Sequence, residues 1–112
     1  NLSNRYVSST KTSRYADITP PEATGYALYY LPINFAKMWS LIDRLSPTAK
    51  PRRILDVGAG PGTCALAASS RLTSIDSITL VDSSVSMLAV AKKLFGTYRP
   101  GVSLTTTPII PV

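Results

Sequence analysis

Histidine is absent from this 112-residue sequence, and cysteine occurs once, at Cys64. Without histidine, acid–base catalysis by an imidazole is excluded. A lone cysteine closes no disulfide within the chain, and no zinc or iron–sulfur spacing is present, so no metal site is expected. No apolar run approaches the roughly 20 residues that a membrane-spanning helix needs, and no secretory signal is visible. Acids are also scarce: six Asp and Glu stand against twelve Lys and Arg, a formal net charge of +6. The length suits one small domain with a real core and does not suit two. The first residue is Asn1 and the last eight are the apolar, proline-spaced "TTTPIIPV". Both ends fit a processed product or one part of a longer or split protein.

The positive charge is uneven. Residues 1–53 hold eight Lys or Arg against three acids, and residues 54–112 hold four against three. A basic front half suits a polyanion such as RNA as partner, and equally a solvated face; charge speaks of partners rather than of fold. Residues 1–30 are polar and rich in Ser, Thr and Tyr, with Pro20-Pro21 interrupting them. They read as a basic, extended or loosely ordered arm. Tyrosines interleaved with cations, as in Arg5-Tyr6 and Arg14-Tyr15, can stack on unpaired bases. Tyr26, Tyr29 and Tyr30 adjoin an apolar segment and read rather as packing residues.

Residues 31–50 hold an amphipathic helix and a linker. In "PINFAKMWSLIDRL", 32–45, Pro32 suits a first helical position. Phe35, Met38, Trp39, Ile42 and Leu45 recur at the spacing of one apolar face. Pro47 and Pro51 close the segment. From residue 51 onward strands and helices alternate. "RILDV", 53–57, reads as a short buried strand, followed by a glycine turn and a helix over 62–72. "SITLVD", 77–82, is a second strand, and Ser83 or Ser84 caps a helix over 84–95. Gly96 and Pro100-Gly101 break that helix, and "VSLTTT", 102–107, is the candidate third strand. Such an order predicts an α/β fold built on an open parallel sheet.

The turn reads "DVGAGPGT", with Gly58, Gly60 and Gly62 at alternate positions. Glycine there permits a tight turn at positive φ and brings a ligand close to the backbone. Ligands of open parallel sheets meet this turn at the carboxyl end of the strand. The spacing is G-x-G-x-G, not the G-x-G-x-x-G of dinucleotide sites. Pro61 also removes an N–H that a pyrophosphate would use. The turn therefore favours a nucleoside without phosphates over a nicotinamide dinucleotide. Asp82 ends the second strand twenty residues after Gly62, where a carboxylate can accept from both hydroxyls of a ribose. Asp56 lies within the first strand. A buried acid there calls for a partner, either a ligand ammonium or the amides of the turn.

"ILDVGAGPGT" followed by "ITLVDSS" resembles the first glycine motif and the acidic motif of class I S-adenosylmethionine-dependent methyltransferases. With "YALYYLPINFAKMWSLIDRL" ahead of the strand and "ITLVDSSVSMLAVAKKL" behind it, residues 25–95 are similar to the mitochondrial small-ribosomal-subunit methyltransferase-like family. The resemblance implies a partial Rossmann-like fold over 51–112, with its first two or three parallel strands and their flanking helices. It implies that Gly58, Gly60 and Gly62 line S-adenosylmethionine, that Asp56 lies near the methionine amino group, and that Asp82 holds the ribose. Ser83 and Met87 would stand near the adenosine by position. It also implies a place in the mitochondrial matrix, contact with small-subunit rRNA, and ribosomal or assembly proteins as partners.

The sequence departs from that family by stopping early. A class I methyltransferase sheet has about seven strands, and the segment after the fourth, which touches the methylated atom, is missing. So is the cysteine set that many members use for an iron–sulfur cluster. No catalytic residue is assigned. The open strand edges call for a partner chain that completes the sheet. The resulting expectation is a methyltransferase-like component or assembly factor of the mitochondrial small subunit. The alternative is an active S-adenosylmethionine-dependent rRNA methyltransferase whose remainder is a separate chain or a further part of the same protein.

Overall fold

The computed structural model describes residues 17–45, 48 and 50–109. The expectations for residues 1–16, including stacking by Tyr6 and Tyr15, lie outside the described residues. The order of elements is helix α1 (Pro20–Ile42), strand β1 (Arg53–Val57), helix α2 (Thr63–Arg71), strand β2 (Ser77–Asp82), helix α3 (Val85–Tyr98) and strand β3 (Ser103–Pro108).

The three strands form one parallel sheet in the order β1-β2-β3. Ile54 aligns with Ile78, and Ile78 with Leu104. Parallel neighbours need a crossover, which α2 and α3 provide. Alternate residues of each strand point to the helices. Ile78 and Leu80 are fully buried there with Ala65, Leu66, Ile75, Leu88, Ala91 and Phe95, and Phe35, Ile54, Leu94 and Leu104 pack around them. Truncating Ile78, Leu80 or Phe95 would cost about 2–5 kcal/mol.

β1 departs from the buried strand expected of it. Leu55 and Val57 are each 68% exposed, because the described helices cover one face of the sheet only. On that uncovered face Thr105 and Thr107 of β3 are exposed as well.

The larger correction concerns α1. Residues 20–30, expected in a loose arm, are the first half of a 23-residue helix, and Pro32 lies inside it rather than at its start. Pro20 and Pro21 occupy the first turn, where a missing N–H loses nothing. Thr19 accepts from the Glu22 amide at 3.3 Å, and Glu22 Oε1 accepts from the Thr19 amide at 3.3 Å, a reciprocal cap. Pro32 removes one hydrogen bond at an exposed position, where water can satisfy the freed carbonyl. α1 lies across α2 and α3. Trp39 stacks on Phe35 with centroids 5.9 Å apart, and the Arg71 guanidinium sits 5.5 Å from the Trp39 ring. Arg71 also donates to Asp43 at 2.8 Å, which ties the end of α1 to the end of α2. At the other end of the fold, α3 runs through Gly96 to Tyr98 instead of stopping at 95.

Candidate functional site

The site forms where β1 and β2 end side by side. The turn after β1 is pinned to β2, since the amides of Gly58 and Ala59 both donate to the Val81 carbonyl, at 2.7 and 3.0 Å. Gly58, Gly60 and Gly62 have φ of +73°, +57° and +78°, the left-handed region that glycine enters without a steric penalty. Their surroundings divide them. A Cβ on Gly58 or Gly60 would meet nothing within 4 Å, so both border open space. A Cβ on Gly62 would come within 2.9 Å of Leu80 and 3.2 Å of Phe95. Gly62 was expected to line a cofactor. Instead it is buried against the core, and its missing side chain lets α2 approach the sheet.

Asp82 is 8% exposed. Its Oδ1 accepts from the Gly60 amide at 3.1 Å and its Oδ2 from the Ser84 amide at 2.9 Å. The carboxylate thus bridges the turns that follow β1 and β2. Each oxygen keeps a lone pair beyond these bonds. Asp56 comes from the neighbouring strand and is half-buried. Its Oδ2 is buried and has no hydrogen-bond partner, so the turn amides do not satisfy it. Burial raises the Asp56 pKa, and the Asp82 carboxylate raises it further. An under-coordinated acid beside a second acid is a place where a cation is favourable.

Of the remaining expected residues, Ser83 is exposed and Ser84 is the one that caps α3, accepting from the Met87 amide at 3.1 Å. Met87 is 1% exposed and packs with Ile18 and Ala23. Its side chain is part of the packing beneath the turn, not of a wall open to adenosine. Two residues near the site were not singled out as site residues. Tyr26 packs at the margin of the Ile18–Ala23–Met87 cluster, 4.6 Å from the Tyr30 ring. Burial raises its hydroxyl pKa, and the nearby Tyr30 and Asp82 add to the effect. Asp17 binds Ser84 and Ser86. No local pattern could have flagged it, since its partners lie 67 and 69 residues away. A separate apolar groove of about 910 Å³ runs between the three helices, lined by Leu28, Leu31, Phe35, Leu66, Val90 and Leu94, and shares no residue with the strand-end cluster.

Among solved structures the chain is similar to phosphoethanolamine N-methyltransferase 2 of Haemonchus contortus, which was solved with S-adenosyl-L-methionine. The TM-score is 0.56 at 23% identity, over 88% of this chain and 23% of that one. A putative caffeoyl-CoA O-methyltransferase from Staphylococcus aureus matches over 96% of this chain and 51% of its own, at 17% identity and a TM-score of 0.49. The chain therefore spans about a quarter of the first protein's length and half of the second's. No curated protein matches it. The likeness to the first is one of fold: three parallel strands with flanking helices, the opening part of a class I methyltransferase. The family model described as mitochondrial small ribosomal subunit Rsm22 matches residues 20–100, well over half of the sequence. The chain belongs to this family, described as mitochondrial small ribosomal subunit Rsm22, and has part of the fold of a class I methyltransferase.

Proposed function

We propose that this chain carries the S-adenosylmethionine-binding part of its methyltransferase-like protein, and that it works in the mitochondrial matrix against small-subunit rRNA and ribosomal or assembly proteins. One observation carries the reading: Asp56, with an unpartnered buried oxygen, and Asp82 stand together beside two glycines that border open space. The residues fit the cofactor. Asp56 would take the methionine ammonium, whose charge and donors answer its unmet oxygen. Asp82 would accept from the ribose hydroxyls with its remaining lone pairs. Gly58 and Gly60 would let the ligand lie against the backbone, and exposed Ser83 would stand near the adenosine. When bound, the group supplies a methyl carried on a sulfonium. The chain's own residues bind and orient it, and none is assigned the transfer step.

The basic front half supports the RNA part of the reading: Lys37, Arg44, Lys50, Arg52 and Arg53 are all exposed. The open edges at β1 and β3 support a polypeptide that completes the sheet, and the exposed Leu55 and Val57 support one that covers its free face. The decisive experiment is calorimetric titration of the full chain with S-adenosylhomocysteine and with NAD. Binding of the first alone, lost in Asp82→Ala and Gly60→Val, is the expected result. A saturating excess that neither binds nor raises the melting temperature overturns the reading, because a ligand of the native state must stabilise it.

A further inference from the structure

Asp17 precedes α1 and lies outside the strand–turn–helix unit, yet its carboxylate is bound to the turn that presents Asp82. Its Oδ2 accepts from the Ser86 amide at 2.8 Å, and its Oδ1 accepts the hydroxyl of Ser84. The Ser84 hydroxyl has one proton to give, and it goes to Asp17 while the oxygen accepts from Met87. The backbone amide of the same serine holds Asp82 Oδ2, and the opposite carboxylate oxygen holds Gly60. A continuous set of hydrogen bonds therefore runs from Asp17 through Ser84 to Asp82 and on to the glycine turn. The first turn of α3 has no acid of its own. Asp17 supplies the negative charge that the helix start favours. Ile18, 6% exposed, is buried beside it in the Ala23–Met87 cluster. That burial fixes where Asp17 stands.

We propose that Asp17 is a positioning residue of the nucleoside site: by holding Ser84 and Ser86 it fixes the turn whose amide sets the orientation of the Asp82 carboxylate. The physical reason is the soft terminal torsion of aspartate, which is broad and roughly two-fold when nothing holds the oxygens. With the Ser84 amide and the Gly60 amide on opposite oxygens, the carboxylate plane is set and its outward lone pairs have one direction. If the Ser84 turn loosens, one of the two anchors is lost. The functional consequence rests on the nucleoside reading given above; the hold on Asp82 does not.

The test is amide hydrogen exchange, followed by NMR on the full chain without ligand, for wild type, Asp17→Ala, Asp17→Asn and Thr19→Ala. Thr19→Ala removes the α1 cap and leaves the Asp82 turn alone. In Asp17→Ala, exchange at Ser86, Met87, Ser84 and also Gly60 rises at least about fivefold by local opening. Asp17→Asn keeps one acceptor oxygen and falls between, and Thr19→Ala leaves Gly60 as in wild type. Titration of the same variants with S-adenosylhomocysteine then shows Asp17→Ala binding roughly tenfold more weakly, a change of about 1.4 kcal/mol. Faster exchange at Ser86 with Gly60 unchanged overturns the proposal and leaves Asp17 as a cap of α3 alone. Gly60 loosening equally in Thr19→Ala overturns it too. Coupled exchange in a chain whose wild type binds no S-adenosylhomocysteine leaves the hold on Asp82 standing and sinks the nucleoside reading instead.

Discussion

Gly62 and Leu80 leave no room for a side chain between them: a Cβ on Gly62 would lie 2.9 Å from Leu80 Cδ1. The contact sets the distance between α2 and the sheet, and it separates Gly62 from the two glycines that border open space. Gly62→Ala combines a left-handed backbone, about 1–2 kcal/mol, with overpacking of about 1–3 kcal/mol. Gly60→Ala carries the backbone penalty alone. Urea denaturation should show the Gly62 variant as the less stable of the two by at least about 1 kcal/mol. Equal losses would mean that the core accommodates the methyl.

Asp56 is expected to destabilise the ligand-free protein. Burial, with the charge of Asp82 added, holds its pKa above the usual 3.8. The folded chain then binds that proton more tightly than the unfolded chain, so stability falls as pH rises from 3.8 through the raised value. Asp56→Asn removes this slope and stabilises the free protein at pH 7, by no more than about 1 kcal/mol, because it removes a half-buried charge that solvent already screens in part. The same change weakens S-adenosylhomocysteine, because the ammonium loses its counter-charge. Melting curves from pH 3 to 8, with and without ligand, check both signs. A variant that is less stable without ligand at pH 7 would contradict the account.

Asp17 has the opposite slope. Burial acts to raise its pKa, but bonds from the Ser84 hydroxyl, from Ser86 and from the Ile18 amide together outweigh that effect, and the net shift is downward from 3.8. A depressed carboxyl contributes stability that is complete above 3.8 and is lost as pH falls through the folded value. The difference in melting temperature between wild type and Asp17→Asn should be constant near neutrality and shrink below pH 4. A constant difference down to pH 2 would show that the carboxylate charge is not what the turn uses.

Cys64 reaches the surface in the first turn of α2. Its thiol is nevertheless held above its usual pKa, by burial first and by the nearby Asp56 second. Only the thiolate reacts, so alkylation by iodoacetamide at pH 7.5 should run at least about threefold slower than for a cysteine in an unstructured peptide. Asp56→Asn should recover part of that rate. A rate equal to the peptide's would mean that the first turn of α2 opens freely.

Much of the strand–turn–helix unit was legible because each piece is local. "RILDV" and "SITLVD" coincide with β1 and β2 to the residue, since aliphatic and β-branched residues flanked by turn signals have one good use there. The parallel order followed from the alternation of strands and helices. What failed depended on context. Pro32 read as a helix start, yet it lies within α1 at an exposed position where the lost bond is tolerated. The true start was written as Thr19-Pro-Pro-Glu22, a reciprocal cap that the paired prolines disguised as a break. In the site, Asp56, Gly58, Gly60 and Asp82 are brought together at the strand ends. The burial of Gly62 and Met87 was not readable, because it depends on Leu80, Phe95 and Ile18 arriving from elsewhere in the chain.

The bond between Asp17 and Ser84 closes a span of 67 residues, whereas each strand in the β1-β2-β3 order lies beside the one made just before it. Adjacent strands and their crossover helix close short loops, and long closures carry a larger entropy penalty. During synthesis the chain can therefore lay down its sheet stepwise from β1. Asp17 leaves the ribosome long before Ser84 and finds its partner only once α3 has begun. The earliest segment of the described chain is thus secured late, after β1 and β2 are made. A substitution at Asp17 should accordingly speed unfolding and leave the rate of folding almost unchanged.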